Sequence, residues 1–201
     1  MITVGLTGGI GSGKTVIAKI WEKAGALIID ADTLAKTLMV NDESLRTQLI
    51  QTFGENVYET DGKLNKSFLI KEAFHKNRVE ELNKIVHPAV KRETQRIIKN
   101  AQKTGTKVLV KEAALLLKEG RPDGVDYVVW VDAPIEVRIK RASVRDGKDI
   151  TEVKKRAKNQ PSVEEVKHLC DFILTNDGNL KQLEVKALEL YDFFIKQDEV
   201  S

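Results

Sequence analysis

The chain has 201 residues, 41% of them hydrophobic, which is enough for a sizeable core and points to one main domain with insertions. Its formal charge is +3, from 33 Lys and Arg against 30 Asp and Glu, and aromatics make up only 5%; this mild balance, with few stacking platforms, speaks against nucleic acid as a partner. No apolar run reaches the roughly 18 residues of a membrane span, no basic residue precedes Lys14, and the single Cys170 permits no intramolecular disulfide, so a cytoplasmic protein without membrane attachment is expected.

In chain order, Ile2 to Thr7 reads as a strand, a glycine-rich turn follows, and Val16 to Ala24 carries the helical spacing of Ile17, Ile20 and Trp21. Leu27 to Ile29 is a second strand. Helical stretches follow, with Leu34 and Leu38 and later Leu45, Leu49, Ile50 and Phe53 each on one face. Asp61-Gly62 marks a turn, and from Asn65 to about Gln102 the pattern is helical, with Pro88 expected to open a new helix. Lys107 to Val110, Tyr127 to Val131 and Phe172 to Leu174 are β-rich, and a last helix carries Leu180, Leu183, Ala187, Leu190 and Phe194 on its docking face. Alternating strands and helices predict an α/β fold of three layers, with a parallel five-stranded sheet.

Ligands of such sheets bind beyond the carboxyl ends of the strands. The residues at those ends are the glycine loop, the pair Asp30 and Asp32, Glu112, Asp132, and Asn176-Asp177-Gly178. "GGIGSGKT", Gly8 to Thr15, fits G-x-x-x-x-G-K-(S/T) between a strand and a helix. Glycines let successive N–H groups curl around a phosphate, Lys14 adds a positive charge for the outer phosphates, and Thr15 offers a hydroxyl to Mg²⁺. A guanine-reading N-K-x-D and a D-x-x-G switch element are both missing, which argues against a GTPase. Phosphoryl transfer to a hydroxyl needs a base near the acceptor, and a carboxylate at a strand end suits that role. Asp30 or Asp32 could equally cap the helix that begins near Thr33.

Residues 138 to 158 hold nine Lys or Arg against three acidic residues, a local net of +6. Helical spacing puts Arg138, Arg141 and Arg145 near one face, and Asp146-Gly147 turns the chain toward a second helix. Such a hairpin can close over nucleotide phosphates and exclude water. A solvated helical face is the plainer reading for most of its lysines.

Taken together, "TGGIGSGKT" (Thr7 to Thr15), "DAD" (Asp30 to Asp32), "HP" (His87-Pro88), "EAALL" (Glu112 to Leu116), the R-x-x-x-R-D of Arg141 to Asp146, Gln160, and "NDG" (Asn176 to Gly178) resemble the dephospho-CoA kinase family. The resemblance covers nearly the whole chain. It implies phosphorylation of the ribose 3′-hydroxyl of dephospho-CoA by ATP, with ATP and Mg²⁺ on the phosphate loop. It implies an acceptor-binding helical insertion at about 61–104, a lid at about 138–160, and a core of 1–60, 105–137 and 170–201. Carried over, Asp32 is the base, with Lys14 and Arg141 also catalytic. ATP falls to Gly8, Gly9, Gly11, Ser12, Gly13, Lys14, Thr15, Val16, Arg145 and Asn176; the acceptor falls to His87, Glu112 and Leu115. Two departures mark the loop after the third strand: Ala114 stands where the family often has proline, and Lys118 where it has an acidic residue. Another small-molecule kinase acting on a nucleoside or nucleotide, or a nonenzymatic nucleotide switch, would share the loop. Oligomeric state is not legible in the sequence.

Overall fold

The computed structural model describes residues 1–200. Strands β1 (Ile2–Gly8), β2 (Leu27–Asp30), β3 (Val108–Glu112), β4 (Tyr127–Asp132) and β5 (Phe172–Thr175) form one sheet in the order β2-β3-β1-β4-β5. The sheet is parallel, as expected, and β1 lies at its centre between β3 and β4. Strand parity divides the side chains between two faces. Val4, Leu6, Val108, Val110, Val129 and Val131 join a core with Ile17 and Trp21 of α1 (Lys14–Lys23) and with Leu183, Ala187 and Phe194 of α9 (Leu180–Val200). Val128 and Trp130 face the other way and pack with Leu117 and Val166. The Trp21 indole N–H donates to the Ala187 carbonyl at 2.7 Å, which ties α1 to α9 inside the core.

At the amino edge of the sheet two aspartates hold strand ends through paired bonds. Thr3 N–H donates to the Asp126 carboxylate at 2.7 Å, and Asp126 N–H to the Thr3 carbonyl at 2.8 Å. Val128 and Asp171 repeat the exchange at 2.7 and 2.9 Å.

The chain divides into two compact units: Met1–Ile29 joined with the stretch from Ala101 onward, and Asp30–Asn100. The first is the sheet unit. The second is helical and holds α2 (Ala31–Asn41), α3 (Glu43–Phe53), α4 (Lys66–Ile70), a π-type turn Lys71–His75, and most of α5 (Val79–Lys103). Its core gathers Met39, Leu45, Leu49, Phe53, Leu69, Val86 and Ala89.

One expectation fails inside it. Pro88 does not open a helix but lies within α5. A proline there costs about 3 kcal/mol through a lost hydrogen bond and a clash with the preceding turn. The apolar stripe runs on through the buried Val86 and Ala89 and the partly buried Leu82, Ile85 and Val90; full burial of one such large side chain returns about 1.5–3 kcal/mol, so together these carry the helix across the proline.

The basic stretch forms the expected helical hairpin: α6 (Ile135–Asp146), a turn at Gly147 with φ of 62°, and α7 (Ile150–Lys158) capped by Asp149. A short α8 (Val163–Val166) follows.

Candidate active site

The phosphate loop is shaped by what its glycines allow. Gly11 and Gly13 have φ of 74° and 105°, values that L side chains rarely adopt. Gly13 serves as the N-cap of α1 with no side-chain cap, so no side chain stands between the loop and the start of the helix, where a dipole favours negative charge. Space is also short. A Cβ at Gly8 would collide with the Val131 carbonyl, at Gly9 with the Arg138 guanidinium, at Gly11 with the Arg138 backbone, and at Gly13 with the Asn176 amide. The loop is thus walled by β4, α6 and the end of β5. The Lys14 ammonium folds onto this loop, donating to the Gly8 carbonyl at 2.7 Å and the Gly9 carbonyl at 3.3 Å.

Residues distant in sequence converge on the same loop. The Thr15 hydroxyl donates to the Glu112 carboxylate at 3.1 Å, and Glu112 is 8% exposed at the end of β3. Asn176, 6% exposed, donates its amide N–H to the Ser12 carbonyl at 2.7 Å, while its own carbonyl accepts from Arg141 at 3.3 Å. Ile10 N–H donates to the Gln160 side-chain oxygen at 2.6 Å, and Ile10 packs against Ile139, Ala142 and Val153 of the hairpin. Gln160 figured among the family motifs without a role. Ile10 and Arg138 gave no site signal beyond, for Arg138, its place three residues before Arg141 on the same helical face.

The other sequence candidates of this unit are placed differently. Arg145, near the end of α6, makes a bidentate pair with Asp146 at 2.7 and 3.0 Å and is largely exposed. Their hydrogen bond raises the Arg145 guanidinium and holds the Asp146 carboxyl below the usual carboxylate range. Leu115, 46% exposed, lies in the turns after β3, and Val16 is exposed on α1.

In the helical unit, the two carboxylates of "DAD" separate in role. Asp30 is the N-cap of α2: its carboxylate accepts from Thr33 N–H at 3.0 Å and from the Thr33 hydroxyl at 2.7 Å. Asp32 stands in the first turn, exposed, and its carboxylate has no hydrogen bond or ion pair among the described residues. His87 is exposed on α5. A cavity of about 600 Å³ is lined by Lys36, Thr37 and Asn41 of α2, by Glu59 and Lys63, and by Lys66. Lys36 follows Asp32 by one helical turn, about 6 Å along the axis.

The Thr15 hydroxyl and its partner, the Glu112 carboxylate, are oxygen ligands, and among the described residues no cluster of three His, Cys, Asp or Glu could hold an ion alone. That suits Mg²⁺, which takes one or two protein oxygens and completes its shell with water and phosphate.

A parallel sheet whose central strand ends in this loop, with a carboxylate behind the loop threonine and arginines on the opposing helix, defines a phosphate-loop protein of the nucleotide-dependent kinase class. The comparisons narrow the class. A family model described as dephospho-CoA kinase matches residues 2–182. The dephospho-CoA kinase of Corynebacterium diphtheriae is 38% identical over 200 residues, 99% of this chain and 100% of that protein. That of Salinibacter ruber is 40% identical over 192 residues, 95% and 96% of the two chains. Among solved structures, TT1252 from Thermus thermophilus superposes with a TM-score of 0.77 at 29% identity, covering 94% of this chain and 96% of its own. The Campylobacter jejuni dephospho-CoA kinase, at 21% identity and a TM-score of 0.65 over 96% of each chain, shares the fold. The chain belongs to the dephospho-CoA kinase family.

Proposed function

We propose that this chain transfers the γ-phosphate of ATP to the ribose 3′-hydroxyl of dephospho-CoA, giving coenzyme A. The observation that carries the reading is the full-length family relationship in a chain whose phosphate loop is intact. The loop N–H groups and Lys14 bind and orient the outer phosphates, and Asn176 and Gln160 hold the loop in shape from behind. Thr15, with Glu112 as its hydrogen-bond partner, would hold Mg²⁺; the ion, when bound, neutralises charge on the phosphate oxygens. Glu112 then serves the nucleotide side, whereas the family resemblance alone assigned it to the acceptor. Arg141 supplies a cation for the transferring group, and residues 138–160 act as a lid, with Arg145 released from Asp146 to meet nucleotide.

Asp32 takes the acceptor's proton. Asp30 is committed to the cap, which leaves Asp32 as the carboxylate of the pair able to turn to a substrate. The helical unit receives the acceptor, with His87 as a contact, and the lysines of its cavity suit the diphosphate of dephospho-CoA. The chain works in the cytoplasm, without nucleic acid or membrane.

The test is a coupled ADP-release assay with Mg-ATP and dephospho-CoA, with mass spectrometry of the product. Dephospho-CoA accelerates ADP formation and gains one phosphate. Asp32→Asn lowers kcat by about 10²- to 10⁴-fold with little change in ATP affinity, the cost of a lost general base, whereas Asp30→Asn, which keeps a capping oxygen, changes it little. Equal ADP release with and without dephospho-CoA would refute the reading.

A further inference from the structure

Four buried side-chain polar atoms among the described residues find no hydrogen-bond partner, and three belong to one place: Thr7 Oγ1, Ser12 Oγ and Arg138 Nε. Thr7 is the last residue but one of β1, which feeds the phosphate loop, Ser12 lies within the loop, and Arg138 faces it from α6. Buried polar atoms are paired in the great majority of native structures, so a local concentration of exceptions calls for a cause. A guanidinium is the costliest of the three to leave so.

Arg138 is also held where it is. Its guanidinium lies so close over Gly9 that a Cβ there would collide with it, and its own carbonyl packs on Gly11. Its neighbours on the helix are occupied otherwise: Arg141 donates to the Asn176 carbonyl, and Arg145 forks onto Asp146. The Arg138 side chain has neither hydrogen bond nor ion pair among the described residues. The Lys14 ammonium sits on the Gly9 carbonyl. Two cationic side chains therefore approach one glycine of the loop, an arrangement that a polyanion would stabilise.

We infer that Arg138 is a phosphate-binding residue of the nucleotide site, contacting the outer phosphates from the α6 side while Lys14 contacts them from the loop. The inference rests on the reading that the loop holds ATP. It goes beyond the family motifs, which give the lid function to Arg141 and Arg145. Unlike Arg145, Arg138 already lies on the loop, so its contribution belongs to nucleotide affinity before any closure of the hairpin. Its planar fork fits two phosphate oxygens at once, which a lysine cannot do.

Calorimetric titration of the whole protein with Mg-ATP, Mg-ADP and AMP, without acceptor, tests this. Arg138→Gln weakens ATP and ADP by roughly ten- to a hundredfold, the worth of a charge-assisted hydrogen bond, and leaves AMP nearly as in the unchanged protein. Arg138→Lys keeps the charge without the fork and falls between the two; it decides the matter if the glutamine variant does not fold. Unchanged ATP affinity in a folded variant would overturn the proposal, as would a lowered melting temperature with nucleotide affinity intact, which would make Arg138 a structural brace. Failure of the unchanged protein to bind ATP would remove the loop reading itself, a result distinguishable from a loss confined to the variants.

Discussion

The two ends of α6 carry the same side chain in opposite circumstances. Arg138 is wedged over Gly9 with its Nε buried and unpartnered, whereas seven residues later Arg145 lies in solvent, neutralised by Asp146. The difference extends to their surroundings. The phosphate loop is fixed by neutral amides and steric fit: Asn176 on the Ser12 carbonyl, Gln160 on Ile10 N–H, and glycines that leave no room for a Cβ. The far end of the hairpin is fixed by charge: Arg145 with Asp146, Lys148 and Arg156 with Glu152, and Asp149 capping at Thr151. The amide bonds and the steric fit of the loop are contacts that titration and salt do not reach, and the charged Lys14 and Glu112 add to them. The far end of the hairpin rests on exposed ion pairs, each worth little in water.

The largest effect that would sharpen this contrast comes from Lys14→Ala, which removes the charge on the loop. Turnover falls by about 10³-fold, the scale of a deleted electrostatic donor in an active site, while circular dichroism and melting temperature stay close to the starting values. A variant that turned over normally would detach the chemistry from the loop. Next comes Asn176→Ala, which strips the Ser12 carbonyl of its donor inside the fold. It costs about 1–3 kcal/mol of stability, read as a drop in melting temperature, with weaker ATP binding beside it. The same alteration at Asp146, out in solvent, barely moves the melting temperature. Were Asp146→Ala as damaging as Asn176→Ala, the division between the two regions would collapse.

The smallest effect is in pH. Hydrogen bonds from Arg145, from Thr151 and from Lys148 hold Asp146, Asp149 and Glu152 below their usual carboxylate range. A depressed folded-state value means that the stabilisation is complete above the ordinary carboxylate range, about pH 4, and is lost as pH falls through the folded-state values. Amide exchange, corrected for its intrinsic pH dependence, therefore speeds up in the hairpin on acidification before it does in the loop, whose supporting Asn176 and Gln160 do not titrate. Simultaneous loosening of both would contradict the contrast.

What the sequence revealed tracks how local each cause is. The phosphate loop was legible because its spacing is covalent and its residue types answer directly to phosphate geometry. The parallel sheet was legible through its β-rich runs and the helices between them. The roles of Asp30 and Asp32 were not, because a cap is defined by where a helix begins, and a shift of one or two residues exchanges them; the helix starts at Ala31, and Thr33 settles on Asp30. Pro88 misled because its local cost is plain, while the apolar stripe that outweighs it depends on α3 and α4, distant in sequence. Arg138, Arg141 and Arg145 looked alike because helical spacing specifies a shared face and says nothing of which end meets a glycine.

The paired bonds of Asp126 and Asp171 acquire a meaning from this. At one edge of the sheet, strands are fastened by carboxylates bonded to neighbouring backbone; at the other, the strands run out into the glycine loop, its threonine and the amides that hold it. The molecule therefore separates two modes of failure. Asp126→Ala or Asp171→Ala diminishes how many molecules are folded, and those that fold work as before. Loss of the Lys14 charge leaves a full population of folded molecules, each of which turns over about 10³-fold more slowly. Measuring specific activity per folded molecule, rather than per milligram, tells the two apart.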